Sequence, residues 1–166
     1  MTRPGRSALA ARAMASLGLL ALGGGCARPF VQALPVPPYR EQILAPYDTT
    51  WNALIRALAL DNAPLRAVAK DSGVIASDDF VSPIGVYADC GRLGAAQLEG
   101  DALVAFTIFA QANRDGTEVQ VNARMHTQSY RRGLTNSLRS EPVYPCGSTG
   151  RWEANLGDTV RRLIRE

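Results

Sequence analysis

The chain is short of the residues that most often carry catalysis and metal binding. Its 166 residues include one histidine (His126), three cysteines and a single lysine (Lys70). A zinc site draws three or four ligands from histidine, cysteine and carboxylate, and one histidine leaves that chemistry without a ligand set. A continuous apolar run of about 20 residues, the length needed to span a bilayer as a helix, is missing. The longest run, residues 13–22, is half that. Acidic residues are absent before position 26. Gly23-Gly24-Gly25 has no following Lys-Ser/Thr and is no phosphate loop.

What is present begins with the first 26 residues. Arg3, Arg6 and Arg12 precede the apolar run, which ends in Leu22-Gly23-Gly24-Gly25-Cys26. A basic start, a short apolar core and small residues before a cysteine describe a bacterial lipoprotein signal peptide. Leu22 stands four positions before Cys26, one further than usual in such a signal. A plain secretory leader and a cytosolic helix are the alternatives. The expectation is a leader over 1–25, removed to leave Cys26 as an acylated N-terminus in the bilayer, at the periplasmic face of the outer membrane; the inner membrane is the other candidate. Residues 26–38, with Pro29, Pro35, Pro37 and Pro38, read as an extended tether. Residues 39–166 read as a single domain.

Removing the leader changes the charge. The whole chain carries 18 basic and 15 acidic side chains. Three basic ones and no acidic ones lie before Cys26, so the mature chain has 18 − 3 = 15 of each and a formal charge of zero. No global electrostatic argument for a nucleic-acid partner survives. Acylation of Cys26 also leaves an even pair, Cys90 and Cys146. In an oxidising compartment they are expected to bridge, with Cα atoms about 4.4–6.8 Å apart. Closing that loop stabilises the fold by about 4 kcal/mol on the chain-entropy model.

Periodicity organises the rest. Residues 39–45 read as a first strand, broken by Pro46. Trp51, Leu54, Ile55 and Leu58 fall on one helical face, with Asp48 or Thr49 as cap and Asn62 and Pro64 as stop. Residues 65–70 and 74–79 flank Asp71-Ser72-Gly73, a hairpin turn. Residues 80–88 read as an irregular excursion or edge strand, and 90–94 as loop. Residues 103–112 and 117–127 form a second hairpin, with Val119, Val121, Ala123 and Met125 facing one way and Glu118, Gln120, Asn122, Arg124 and His126 the other. Residues 130–145 read as a polar loop exposing Arg131, Arg132 and Arg139, with a short strand at Val143-Tyr144. A helix over 151–165 carries Trp152, Leu156, Val160, Leu163 and Ile164 as its apolar stripe. These elements predict an α+β two-layer domain: an antiparallel sheet of about four to five strands packed by an N-terminal and a C-terminal amphipathic helix.

Tyr47-Asp48-Thr49-Thr50-Trp51-Asn52-Ala53-Leu54, followed by Ala67-Val68-Ala69-Lys70-Asp71-Ser72-Gly73-Val74-Ile75, resembles the BamC-like helix-grip domains of periplasmic lipoproteins. The resemblance covers residues 39–80 best and the closing helix in layout. It implies a helix-grip fold and an envelope role, for instance in outer-membrane protein assembly, without catalysis.

Other candidates are weaker. His126 would need a nucleophile and an acid, for which Ser129 and Asp115 are available in sequence. Asp78, Asp79, Asp89, Glu99 and Asp101 lack the spacing of a calcium loop, and neighbouring aspartates on a strand face opposite ways. Gly147-Ser148-Thr149-Gly150 caps the last helix or offers amides to an anion. The arginine loop could meet lipid headgroups. No catalytic, cofactor or metal residue is assigned. The expectation is a non-enzymatic accessory subunit that meets another envelope protein through the sheet edge or the helix pair. The alternative is a module holding a small apolar ligand or lipid between helix and sheet, lined by Phe106, Phe109, Trp51 and Trp152.

Overall fold

The computed structural model describes residues 29–34, 36–128, 130–132, 138–140 and 142–166. The leader and Cys26 lie outside the described residues. In chain order the elements are β1 (Phe30–Val31), β2 (Tyr39–Ile43), α1 (Tyr47–Leu60), β3 (Leu65–Ala69), β4 (Val74–Ser77), β5 (Phe80–Pro83), β6 (Ala88–Asp89), β7 (Arg92–Leu93), β8 (Ala96–Gln97), β9 (Asp101–Asn113), β10 (Gly116–Thr127), β11 (Tyr130–Arg132), β12 (Leu138–Ser140), β13 (Pro145–Ser148) and α2 (Arg151–Arg165).

The long hairpin β9–β10 is the frame. It stays in register from Asn113↔Gly116 at the turn to Ala102↔Thr127 at its open end. Alternation puts Val104, Phe106, Ile108, Val119, Val121 and Met125 on a buried face. Glu118, Gln120, Asn122, Arg124 and His126 lie on the other face, as their spacing predicts. β4 joins β9 through Ile75↔Ile108, and β3 joins β4 across the turn at Gly73, whose φ of 70° suits glycine. β5 pairs with the first part of β9. On the far side of β10, β2 and β13 pair with successive lengths of the strand, and β6 pairs with β13. The sheet has eight strands in the order β3-β4-β9-β10-β13-β6, with β5 beside β9 and β2 beside β10. A separate three-stranded sheet runs β1-β7-β8, and β11 pairs with β12.

The chain is therefore mostly β, which corrects the expected two-layer α+β domain with four to five strands. The missed strands are short. β1, β6, β7 and β8 have two residues each, too few to show a period of two. Their pairing is set by distant partners rather than by their own side chains. Residues 90–94 and 130–145, expected as loop, contain β7, β11 and β12. The strand expected at Val143-Tyr144 begins instead at Pro145.

Both helices press one apolar stripe into one core. Trp51, Leu54, Ala57 and Leu58 of α1 and Trp152, Leu156, Val160 and Leu163 of α2 join Ile75, Phe106, Ile108, Val119 and Val121 from the sheet. Burying each large side chain contributes about 1.5–3 kcal/mol. Trp152 stacks on Phe106 with ring centroids 4.3 Å apart, and Trp51 stacks on Tyr47 at 5.9 Å. The cap expected for α1 is not made: Pro46 holds that position without a side-chain bond. Asp48, in the first turn, pairs with Lys70 on the β3–β4 turn at 2.8 Å instead. A second, smaller cluster gathers Ala88, Cys90, Ala102, Val104 and Met125, with Cys146 packed on it.

Candidate interaction surface

Cys90 and Cys146 form a disulfide with Cα atoms 4.0 Å apart, slightly closer than expected. The register explains the closeness. Gly147 lies opposite Asp89 in the β13–β6 ladder, so Cys146 and Cys90 stand opposite one another one step further on. Directly opposed residues in an antiparallel pair approach to about 4.5 Å at non-hydrogen-bonded positions.

The catalytic candidates do not meet. His126 sits near one end of β10, opposite Leu103 and Pro145, whereas Asp115 lies in the turn before the other end. Their positions differ by 126 − 115 = 11, roughly 36 Å along a strand rising about 3.3 Å per residue. Ser129 lies outside the described residues. The acidic residues are dispersed: Asp79 faces Arg124 at 3.5 Å, and the Asp89 carboxylate accepts a bond from the Gly91 N–H at 2.9 Å. Among the described residues no three His, Cys, Asp or Glu side chains gather as a metal would require.

Nor do the four aromatic residues line one groove. Trp51, Phe106 and Trp152 belong to the core, while Phe109 is 38% exposed on the other face of the sheet. Residues three apart on a strand face opposite ways, a signal already present in the numbering.

The segment 147–150 is divided between two elements. Gly147 and Ser148 end β13, and Gly150 is the N-cap of α2. Ser148 Oγ accepts from the Gly150 N–H at 2.9 Å and donates to Glu153 Oε1 at 2.6 Å. Glu153, buried in the first turn of α2, escaped the sequence reading because it lies beside Trp152 on the stripe expected to be apolar.

Three surfaces are presented outward. The first is the sheet face away from the helices. Amides dominate it: Gln42 and Asn113 exchange two hydrogen bonds at 2.7 and 3.0 Å, and Gln120 donates to Asn122 at 2.9 Å. Arg40, Phe109, Gln111, Glu118 and Gln120 line a shallow depression of about 220 Å³ there. Of its lining residues, Gln120 bonds outward to Asn122.

The second surface is the sheet edge. Among the described residues β3 pairs only with β4, and β2 only with β10. β2 is entered through Pro37-Pro38 and carries Arg40 and Glu41, features that discourage strand addition. β3 reads Leu65-Arg66-Ala67-Val68-Ala69 and is exposed from Arg66 to Ala69. Its one charge, Arg66, lies at a register shift between Leu65 and Ala67. The remaining residues are apolar, and Ala67 to Ala69 are exposed beyond that irregularity, which leaves this stretch open to pairing.

The third surface follows from the segment expected to be a tether. Phe30 and Val31 pair with Leu93 and Arg92 of β7, Pro29 accepts a bond from the Gly94 N–H at 2.9 Å, and Phe30 stacks on Tyr144 at 4.5 Å. Each bridged cysteine is followed by a glycine that receives this segment. At Gly91 (φ 76°) a β-carbon would strike the Val31 carbonyl and come 2.9 Å from the Ala33 nitrogen; at Gly147 it would come 3.3 Å from the Leu34 carbonyl. Residues 31–34 thus lie across both Cys-Gly steps. Against known proteins, no family model matches the chain, and no curated sequence matches it significantly.

Proposed function

We propose that the protein is a membrane-anchored envelope lipoprotein that acts as a non-enzymatic accessory or structural subunit and engages a partner protein along β3. The observation that carries this reading is the outer side of Leu65–Ala69, nearly uncharged and unpaired among the described residues. Strand addition to such an edge uses main-chain hydrogen bonds for affinity and alternate side chains for specificity. The leader over residues 1–25, directly before Cys26, and the resemblance to helix-grip lipoproteins support the envelope placement. Outer-membrane protein assembly is the process that resemblance favours.

The test is gentle affinity purification of the full chain from membranes, beside a Val68→Lys variant that puts a charge on the edge. One or more envelope proteins should accompany the parent and be lost from the variant. Recovery of the parent alone sinks the accessory-subunit reading. Cys26→Ser should shift the protein to soluble or unprocessed fractions, and palmitate labelling that persists in this variant removes the anchor.

A further inference from the structure

We infer that the end of the domain around β1 and the disulfide rests directly on the bilayer, so that the protein is held flush with the membrane in one orientation rather than swinging on a tether. This rests on the acylation of Cys26 proposed above. Pro29 stands 29 − 26 = 3 positions after that cysteine. Three residues reach at most about 11 Å when fully extended. The headgroup zone of one leaflet is about 5–8 Å deep. From Pro29 onward the chain is already seated on the domain, through β7, Tyr144 and the two Cys-Gly steps. No spacer of useful length separates the acyl chains from the fold.

The surface at this end suits that position. Leu34 is 85% exposed, and Val31, Val36 and Val143 are each more than half exposed. Three of these belong to the docked segment; the fourth adjoins Tyr144, on which Phe30 stacks. Apolar side chains held beside an inserted acyl anchor gain by burying apolar area in the interfacial region, and they fix the orientation that the anchor alone leaves free. The disulfide and its two glycines form the seat that fixes the geometry, because a β-carbon at Gly91 would occupy the path of the Val31 carbonyl. The edge strand β3 lies at the opposite end of the sheet order from β6, and so faces away from the lipid.

Tryptophan quenching tests this on the purified, lipidated full chain in vesicles of brominated phosphatidylcholine and phosphatidylglycerol. The native Trp51 and Trp152 are 4% and 5% exposed and give a constant background. Leu34→Trp should lose emission in brominated relative to ordinary vesicles, while Val68→Trp on β3 should not. Palmitate labelling of the same preparation separates the two claims. A labelled protein with unquenched Leu34→Trp emission, or with both variants quenched alike, overturns the fixed bilayer contact and leaves the anchor standing. Absence of label overturns both.

Discussion

The carboxylate of Glu41, on β2, lies against the backbone of α2 at Gly157, where any β-carbon would occupy its place. Glu41 also accepts a hydrogen bond from the Tyr39 hydroxyl at 2.8 Å and pairs with Arg161, one helical turn beyond Gly157; Arg161 in turn pairs with Asp158. A glycine inside a helix costs about 1 kcal/mol relative to alanine. Here it opens the seat through which the sheet holds the helix. The group displaced is the far end of a side chain held in an ion pair, so Gly157→Ala should leave stability within about 1 kcal/mol of the parent, the disturbed Glu41 contacts offsetting the gain in helix propensity. In a Glu41→Ala background the same change should cost less, or stabilise. Urea unfolding of the four proteins in this double-mutant cycle measures the coupling; additive effects would show that the two residues do not share a seat.

Phe106 and Phe109 offer a sharper contrast, because they are the same residue type on the same strand. Phe106 is 2% exposed and stacked on Trp152, whereas Phe109 is 38% exposed beside Gln111 and Gln120. Phe106→Ala should cost about 3–5 kcal/mol. Phe109→Ala should cost under about 1 kcal/mol, since an exposed side chain leaves no cavity when truncated. Thermal or urea denaturation of the two variants checks both values, and a comparable loss at the two positions would contradict the assigned faces.

These two phenylalanines also mark how far the sequence could be read. The β9–β10 hairpin, α2 and the stripe of α1 follow from periodicity, because each is long enough for its apolar residues to repeat. The disulfide follows from counting cysteines once Cys26 is set aside. The two-residue strands do not, since nothing in Ala88-Asp89 or Arg92-Leu93 announces a partner in β13 or β1. The seat at Gly91 and Gly147 was visible only as two glycines after two cysteines. Their meaning depends on where residues 31–34 pass, which no local pattern specifies.

The disulfide should stabilise the end of the sheet and, with it, the docked segment. It closes a loop across 56 positions and joins β13 to the residue after β6. Replacing both cysteines by alanine should lower stability by about 2–4 kcal/mol. The same change should speed amide hydrogen exchange in Phe30–Val31 and Arg92–Leu93 more than in the centre of β10, because local opening follows local support. Exchange that rises equally throughout would mean that the bridge stabilises the domain only globally.

Alkaline pH should loosen the junction between α1 and the β3–β4 turn before it affects the core. The Tyr47 hydroxyl donates to the Lys70 carbonyl, and the Lys70 ammonium pairs with Asp48 at 2.8 Å. Desolvation raises the Tyr47 phenol above its ordinary 10.0, and the hydrogen bond to Asp48 raises the Lys70 ammonium above its ordinary 10.5. Both folded values lie above the unfolded ones. The stability they contribute is therefore fully present below about pH 10 and is lost as pH rises through the folded values. The Lys70 side chain is 48% exposed, so solvent screening keeps its share small. Tyr47→Phe should remove an upshifted phenol from the absorbance titration near 295 nm and flatten the fall in stability above about pH 10. An upper limb of the titration that is the same in parent and variant would contradict a raised Tyr47 phenol.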